Sequence, residues 1–371
     1  MFQQTLAGAL LLISLVDATA QLQPQARPLL ELRAGDRVAF VGEEVFGPER
    51  EHGFLEQMLT AEAGEAPVIF RHLALTNGLF ASFQPTVVFL HLTPEQFQPA
   101  ETVPGFSNRL ERLIGMLKTQ TVAQARFVLI GPLPLEKPRP PRPDSGPEGV
   151  ARAACDQALQ QVAGAHRMVF VSLLRLPGDE FSNPNELPKT NGSRLNLRGS
   201  QQVAGAIAGQ LQITHHWRMS LEPDGRMQPG GSGHAVTHLV RAGSLISFTS
   251  LSDKLENAPG PSADTNGNFI ITPCLLRLKV LQLGRHALRI DGQVVKVATD
   301  REWQRGVAIT TGPMYEQAGK LRQAIVEKNA LPSHAPPAEF QARQTRIRPL
   351  ARPVPHRLEV GPVAAEAPPK P

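Results

Sequence analysis

Two adjacent carboxylates, Glu43 and Glu44, follow Gly42 at the end of the apolar run Val38 to Val41, and an imidazole, His91, closes a second apolar run from Thr86 to Leu90. A carboxylate beside an imidazole can pass protons in general acid–base catalysis, and His72, after Val68 to Phe70, is a second imidazole that could take part. An isolated His at a strand end is more often an ordinary hydrogen-bonded residue. Other chemistry-bearing types are sparse. His215, His216, His234 and His238 have no carboxylate or Cys at ligand spacing, so no metal site is expected. Cys155 and Cys274 are the only cysteines and lie in no C-x-x-C or Cys/His spacing, which argues against zinc and for two separate buried thiols rather than a disulfide. Trp217 and Trp303 could stack on a sugar, although scattered Trp residues more often anchor packing. No cofactor is implied.

Such side chains act only where elements converge. Short apolar runs at 38–41, 68–70, 86–90, 127–130 and 168–171 suit strands buried on both faces. Between them, apolar residues three and four apart predict helices near 50–63, 105–120 and 148–165, with another near 198–211. Alternating β and α elements imply a parallel sheet of about five strands with helices on both faces. Ligands of such sheets bind beyond the carboxyl ends of the strands. That rim comprises Gly42 to Glu44, Leu73 to Gly78, His91 to Phe97, and the loop from Gly131 to about Pro147.

From about His215 the pattern changes to short β-prone pieces separated by Gly, Pro and Asn, including 235–241, 245–249, 269–272 and 275–283. The pair 287–290 and 293–297 flanks Asp291-Gly292, a strong hairpin signal. A helix is expected from Pro313 to Leu331, with Ala318, Leu321, Ala324 and Ile325 on one face. Residues 332–371 hold ten prolines and read as a disordered, basic tail. The organisation expected is a signal peptide at 1–20, an α/β domain at 29–212, a small antiparallel β domain at 215–300, a helical segment at 301–331 and the tail at 332–371.

The formal net charge is +5, but 332–371 carry six Lys/Arg against three Asp/Glu, three of those five charges. With one Tyr and two Trp there is no basic face interleaved with aromatics, so nucleic acid is not an expected partner. The apolar run Leu6 to Val16 followed by Ala18-Thr19-Ala20 has the form of a cleavable leader. That run is too short to span a bilayer. A secreted or periplasmic location is expected, with no transmembrane segment.

The segment Gly35-Asp36-Arg37-Val38-Ala39-Phe40-Val41-Gly42 resembles the first block of SGNH/GDSL hydrolases, in which a strand opens onto the turn carrying the nucleophilic Ser. Phe70 to Leu73 resembles the second strand of that superfamily, Thr86 to Phe97 its third strand and loop, and Asn191 to Leu195 the block that carries Asp and His. Stretches 288–295, 302–303, 306–308 and 321–329 are similar to a group of large secreted SGNH-like proteins of planctomycete-type bacteria.

The resemblance implies a three-layer α/β/α, flavodoxin-like domain with an appended antiparallel β domain. It also implies which positions once did chemistry. Glu44 stands at the nucleophile, preceded by Glu43; Asn191 stands at the Asp and Arg194 at the His. A carboxylate can attack sugars or phosphates but does not take over Ser chemistry at an ester, and Arg stays protonated and cannot serve as a base. Asn can orient an imidazole but not stabilise an imidazolium. The second-block Gly falls near Thr76 to Gly78, and the Asn of the third block falls on or beside Pro94, which lacks the donors an oxyanion hole requires.

The expectation is a degenerate triad and a binding or scaffold protein. Glu43, Asn77, Gly78 and His91 are candidate binding residues, and Arg194 and Asn191 could hold an anionic or sugar-like ligand, so carbohydrate or protein is the expected partner. The other reading is an active secreted esterase or acylhydrolase on acylated carbohydrate, with its triad supplied from elsewhere.

Overall fold

In the computed structural model, residues 29–75, 78–92, 103–134, 147–174, 176, 189–190, 194–213, 217–230, 234–257, 273–332 and 335–363 are described. Five all-parallel strands form the first sheet: β1 (Arg37–Val41), β2 (Ile69–His72), β3 (Val87–His91), β4 (Arg126–Ile130) and β5 (Val169–Val171), in the order β2-β1-β3-β4-β5. Successive strand residues point to opposite faces, and each face has its own core. Val38, Phe40, Phe70 and Phe89 pack with helices α1 (Glu43–His52), α2 (Phe54–Ala63) and α6 (Leu197–Gln210). Ala39, Val41, Val88 and Leu90 pack with α3 (Leu79–Phe83), α4 (Val103–Thr119) and α5 (Pro147–His166). The expected three-layer α/β/α architecture is present.

The helix anticipated at 50–63 is instead two helices, because Gly53 adopts a left-handed φ of +67° that ends α1 and starts α2. This kink serves packing: a Cβ on Gly53 would lie 3.1 Å from Ile325 and 3.2 Å from Val326 of α8 (Pro313–Asn329).

The C-terminal half is a β domain of two sheets around one core. The first is antiparallel and runs β10 (His234–Ala242), β11 (Leu245–Ser252), β16 (His356–Pro362), β13 (Arg285–Ile290), β14 (Gln293–Thr299). The second runs β15 (Val307–Ile309), β12 (Cys274–Leu278), β8 (Arg218–Leu221), β9 (Met227–Gly230), and is mixed, since β8 and β12 pair parallel. Phe248, Leu288, Leu358, Leu221 and Leu276 meet in the core with Trp217 and Trp303. Asp291 and Gly292 make the anticipated turn, both with positive φ. Cys155 and Cys274 are buried in different cores, so no disulfide joins them.

The disordered tail is corrected. Residues 337–351 form α9 and 356–362 form β16, the middle strand of the first β sheet. The prolines bracket these elements more than they interrupt them: Pro336 and Pro337 start α9, Pro353 and Pro355 separate it from β16, and Pro362 ends the strand. Within β16, His356, Leu358 and Val360 are buried and alternate with more exposed neighbours, as a half-buried strand requires. Asp291 fastens the strand, its carboxylate 2.7 Å from His356 Nδ1 and accepting the Arg357 N–H at 2.8 Å. The β domain therefore extends well past residue 300.

The docked C-terminus also closes an open sheet edge. In β2, the N–H groups of Ile69 and Leu73 bond inward to the carbonyls of Asp36 and Phe40, which leaves the carbonyls of Val68 and Phe70 facing outward. Gln344 Nε2 of α9 donates to Val68 O at 3.0 Å, and Lys328 Nζ of α8 donates to Phe70 O at 3.2 Å.

Because β16 joins the β10–β11 and β13–β14 hairpins, a chain ending after Leu331 should lose the β-domain core. Both Trp residues lie in that core, so their emission should shift to the red and their near-UV circular dichroism should collapse, whereas a chain ending after Val363 should match the full-length protein. Unchanged Trp spectra in the shorter truncation would show that β16 is dispensable.

Candidate functional site

The carboxyl rim of the parallel sheet brings two expected residues into contact. Glu44 lies in the first turn of α1 and His91 ends β3, and the His91 Nε2 to Glu44 Oε2 distance is 3.1 Å. The β1–α1 turn approaches His91 so closely that only Gly fits at position 42. A Cβ there would sit 2.5 Å from the His91 carbonyl oxygen and 2.8 Å from its Cβ, and φ is +126°. His91 is only 1% exposed, and its Nδ1 is buried without a hydrogen-bond partner. Glu44 retains 14% side-chain exposure.

The other candidates are distributed as follows. Glu43 is exposed beside Glu44. Gly78 caps α3 with φ +68° and has open space where a side chain would go. Arg194 lies in β7 (Arg194–Leu195), a short strand that packs against α1, so the topology brings its backbone to the helix carrying Glu43 and Glu44. Asn77, Pro94 and Asn191 lie outside the described residues, as do residues 1–20 and the piece at 269–272.

Further along the rim, Ser172 follows β5 and its hydroxyl lies 2.9 and 3.0 Å from the two carboxylate oxygens of Asp156 on α5. Hydroxyls meet an imidazole elsewhere, in the β domain: His234 Nε2 is 2.6 Å from Ser250 Oγ and its Nδ1 is 2.8 Å from Ser252 Oγ, which donates to Glu256 at 2.5 Å. Since Ser252 gives its single proton to a carboxylate, it must accept from Nδ1–H, leaving Nε2 to accept the Ser250 proton. Burial depresses the His234 pKa to about 4, and Ser250 itself is 5% exposed on the core-facing side of β11.

His72, the second imidazole of the parallel sheet, belongs to a buried polar network absent from the sequence reading. Lys328 Nζ is bonded to Glu56 Oε1, both side chains fully buried. Asn329 Nδ2 donates to Glu56 Oε2 at 2.8 Å and lies 3.4 Å from His72 Nε2. Burial, then the charges of Lys328 and Arg50, hold the His72 pKa well below its ordinary range, so the ring is neutral. At the α1–α2 kink, Glu49 accepts the Glu56 N–H at 2.9 Å, yet burial pushes its carboxyl up to about 8, outweighing hydrogen bonds from the backbone of residues 54–56. One signal was available: Lys328 falls on the same helical face as Leu321 and Ile325, where a charge must find a buried partner.

No family model matches the chain, and no curated protein sequence does. Among solved structures it is similar to BT4096, a gut microbial diltiazem-metabolizing enzyme, with a TM-score of 0.62 and 11% identity over 90% of this chain and 100% of that one. A GDSL-like lipase from Parabacteroides merdae matches 49% of this chain and 98% of its own at 15% identity and a TM-score of 0.40. An acetylxylan esterase from Geobacillus stearothermophilus matches 49% and 96% at 13% identity and a TM-score of 0.38. The chain thus shares with BT4096 a fold that here is an α/β domain with an appended β domain; at such identity the likeness concerns fold and not activity. Among the described residues no helix is long and apolar enough to cross a membrane, and no three His, Cys, Asp or Glu side chains are grouped to hold a metal.

The raised Glu49 pKa has a definite linkage sign. Its folded value of about 8 exceeds the ordinary 4.5, so its contribution to stability is complete below pH 4.5 and is lost as pH rises through about 8. Glu49→Gln removes this titration while keeping an acceptor for the Glu56 N–H. Between about pH 5 and about pH 9 the variant should therefore gain on the wild type in urea unfolding, by about 1.4 kcal/mol for each unit of raised pKa. Parallel stability–pH curves would contradict a neutral buried Glu49.

Proposed function

We propose that this chain is an exported, non-catalytic binding or scaffold protein built on an SGNH/GDSL-like fold, its rim a relic of an acyl-transfer site that now serves a carbohydrate or protein ligand. The observation that carries this reading is the Glu44–His91 pair. Ser-type hydrolysis needs a hydroxyl next to an imidazole whose nitrogen can take its proton while substrate is bound. At this rim the imidazole is buried, one nitrogen is occupied by a carboxylate, and that carboxylate stands where the resemblance puts the nucleophile. The exposed Glu43 leaves a polar group at the rim for recognition without turnover.

The esterase reading has one supporting observation, the Ser250–His234–Ser252–Glu256 relay. Two facts weigh against it: Ser250 is buried, and an imidazole with a pKa near 4 is a poor base at neutral pH. A fluorophosphonate probe separates the readings. No serine should be labelled, and 4-nitrophenyl acetate should be cleaved no faster than in buffer, with diltiazem, which BT4096 metabolizes, likewise unturned. Labelling mapped to Ser250, with turnover lost in Ser250→Ala, would establish the esterase instead.

Export rests on the leader-like pattern of residues 6–20. Expressed with its own N-terminus in a bacterial host, the protein should be recovered outside the cytoplasm with Gln21 as its first residue by mass spectrometry. Retention in the cytoplasm with residues 1–20 intact would remove this part of the proposal.

A further inference from the structure

At the outward edge of β2, where α8 leads into α9, lies a cleft of about 70 Å³ that is open to solvent on one side. Its polar lining is cationic, with Arg50 at the end of α1, Arg71 of β2 and Lys328 of α8. Leu331, Ala335 and Phe340 give it an apolar wall. It shares no lining residue with the rim pair Glu44–His91.

Of these cations only Lys328 is spent, on Glu56 and on the Phe70 carbonyl. Arg71 is half-buried and, among the described residues, has neither an ion pair nor a hydrogen bond, and none of its nitrogens is sealed from solvent. Its guanidinium lies 4.0 Å from the Phe340 ring centroid and 5.7 Å from that of Phe83. A cation over a ring is held by the ring quadrupole and spends no N–H on it, so the donors of Arg71 are oriented but unused. Burial alone lowers the Arg71 pKa, with no carboxylate close enough to oppose it. The Arg71 charge bears on Lys328 and the Arg50 charge on His72. Two guanidinium groups therefore face one cleft whose only nearby acid, Glu56, is already taken by Lys328.

Contact with Phe340 alone would be met by a leucine or methionine, whereas a charge drawn partly out of water calls for a counter-charge. A planar fork with free donors matches a carboxylate through two parallel hydrogen bonds. The open space equals about two waters of ~30 Å³ each, which admits the charged end of a ligand and leaves the remainder outside. We propose that this cleft binds the carboxylate end of a small organic acid, with Arg71 as the forked anchor, the exposed Arg50 as a second cation, and the carbons next to the carboxylate against Leu331, Ala335 and Phe340. The inference does not rest on the reading of the rim.

The probes are butyrate and its neutral counterpart butyramide, titrated into the full-length protein at constant ionic strength and followed by saturation-transfer NMR. Butyrate should bind saturably in the millimolar range and butyramide should not. Arg71→Lys keeps the charge over Phe340 but loses the fork, and should weaken butyrate by at least about ten-fold. Ala335→Phe fills the space without altering a charge and should abolish binding; near-UV circular dichroism of the two Trp residues reports that each variant is folded. Three results would overturn the proposal: no saturable butyrate signal, equal signals from butyrate and butyramide, or butyrate affinity unchanged in a folded Arg71→Lys or Ala335→Phe protein. Inorganic phosphate binding more tightly than butyrate and displacing it would overturn the assignment to a carboxylate.

Discussion

The outward edge of β2 governs how the rest of the molecule is put together. An edge strand presents unpaired carbonyls that recruit other chains unless something covers them, and here the cover comes from residues 258 and 276 positions further along, Lys328 on Phe70 and Gln344 on Val68. Using Lys for this task imposes a second requirement. A fully buried ammonium needs a counter-charge, and Glu56 supplies it from α2, with Asn329 occupying the other carboxylate oxygen. Such a pair is weak evidence for net stability, yet losing one partner costs about 3–5 kcal/mol. A shifted α8 would strand both charges, so the pair sets the register of docking.

Once α8 is held, much of the C-terminal architecture follows. Gly53 admits the helix against the α1–α2 kink, and Arg322 donates to the carbonyl of His52 at 3.1 Å with its guanidinium 4.7 Å from the Phe54 ring centroid. Ala318, Leu321 and Ile325 then share an apolar cluster with Ile347 and Ala351 of α9 and with Ala61 of α2. After α9 the chain returns to the β domain as β16, between two hairpins that are not otherwise neighbours in the sheet. Residues far apart in sequence thus share one structural task, and the last described strand belongs to the middle of its sheet.

This explains what the sequence could and could not disclose. The five buried parallel strands announced themselves because runs such as Val87 to Leu90 are apolar on both faces, and the Asp291-Gly292 turn did so through residue types that tolerate positive φ. Helix α9 was hidden because only Ile347 and Ala351 of its residues are buried, which leaves no periodic apolar stripe, and Gln344 acts as an edge cap. Strand β16 was hidden by proline density, although the alternation of His356, Leu358 and Val360 was there to be read. At the rim, the placement of Glu44 after β1 and His91 after β3 was legible from the strand ends. Their pairing was not, since it depends on how closely Gly42 allows α1 to approach β3.

The distribution of satisfied and unsatisfied polar groups bears on what the rim of the parallel sheet can do. Catalysis at a sheet rim requires a group that combines unspent hydrogen-bonding or proton-accepting capacity with access to substrate. Among the described residues of this rim those properties have parted: Glu44 has access but is engaged with His91, Ser172 is engaged with Asp156, and the unspent nitrogen of His91 is sealed from solvent. On the proposed reading, a rim whose charged groups are already paired with one another is suited to holding a ligand rather than breaking it.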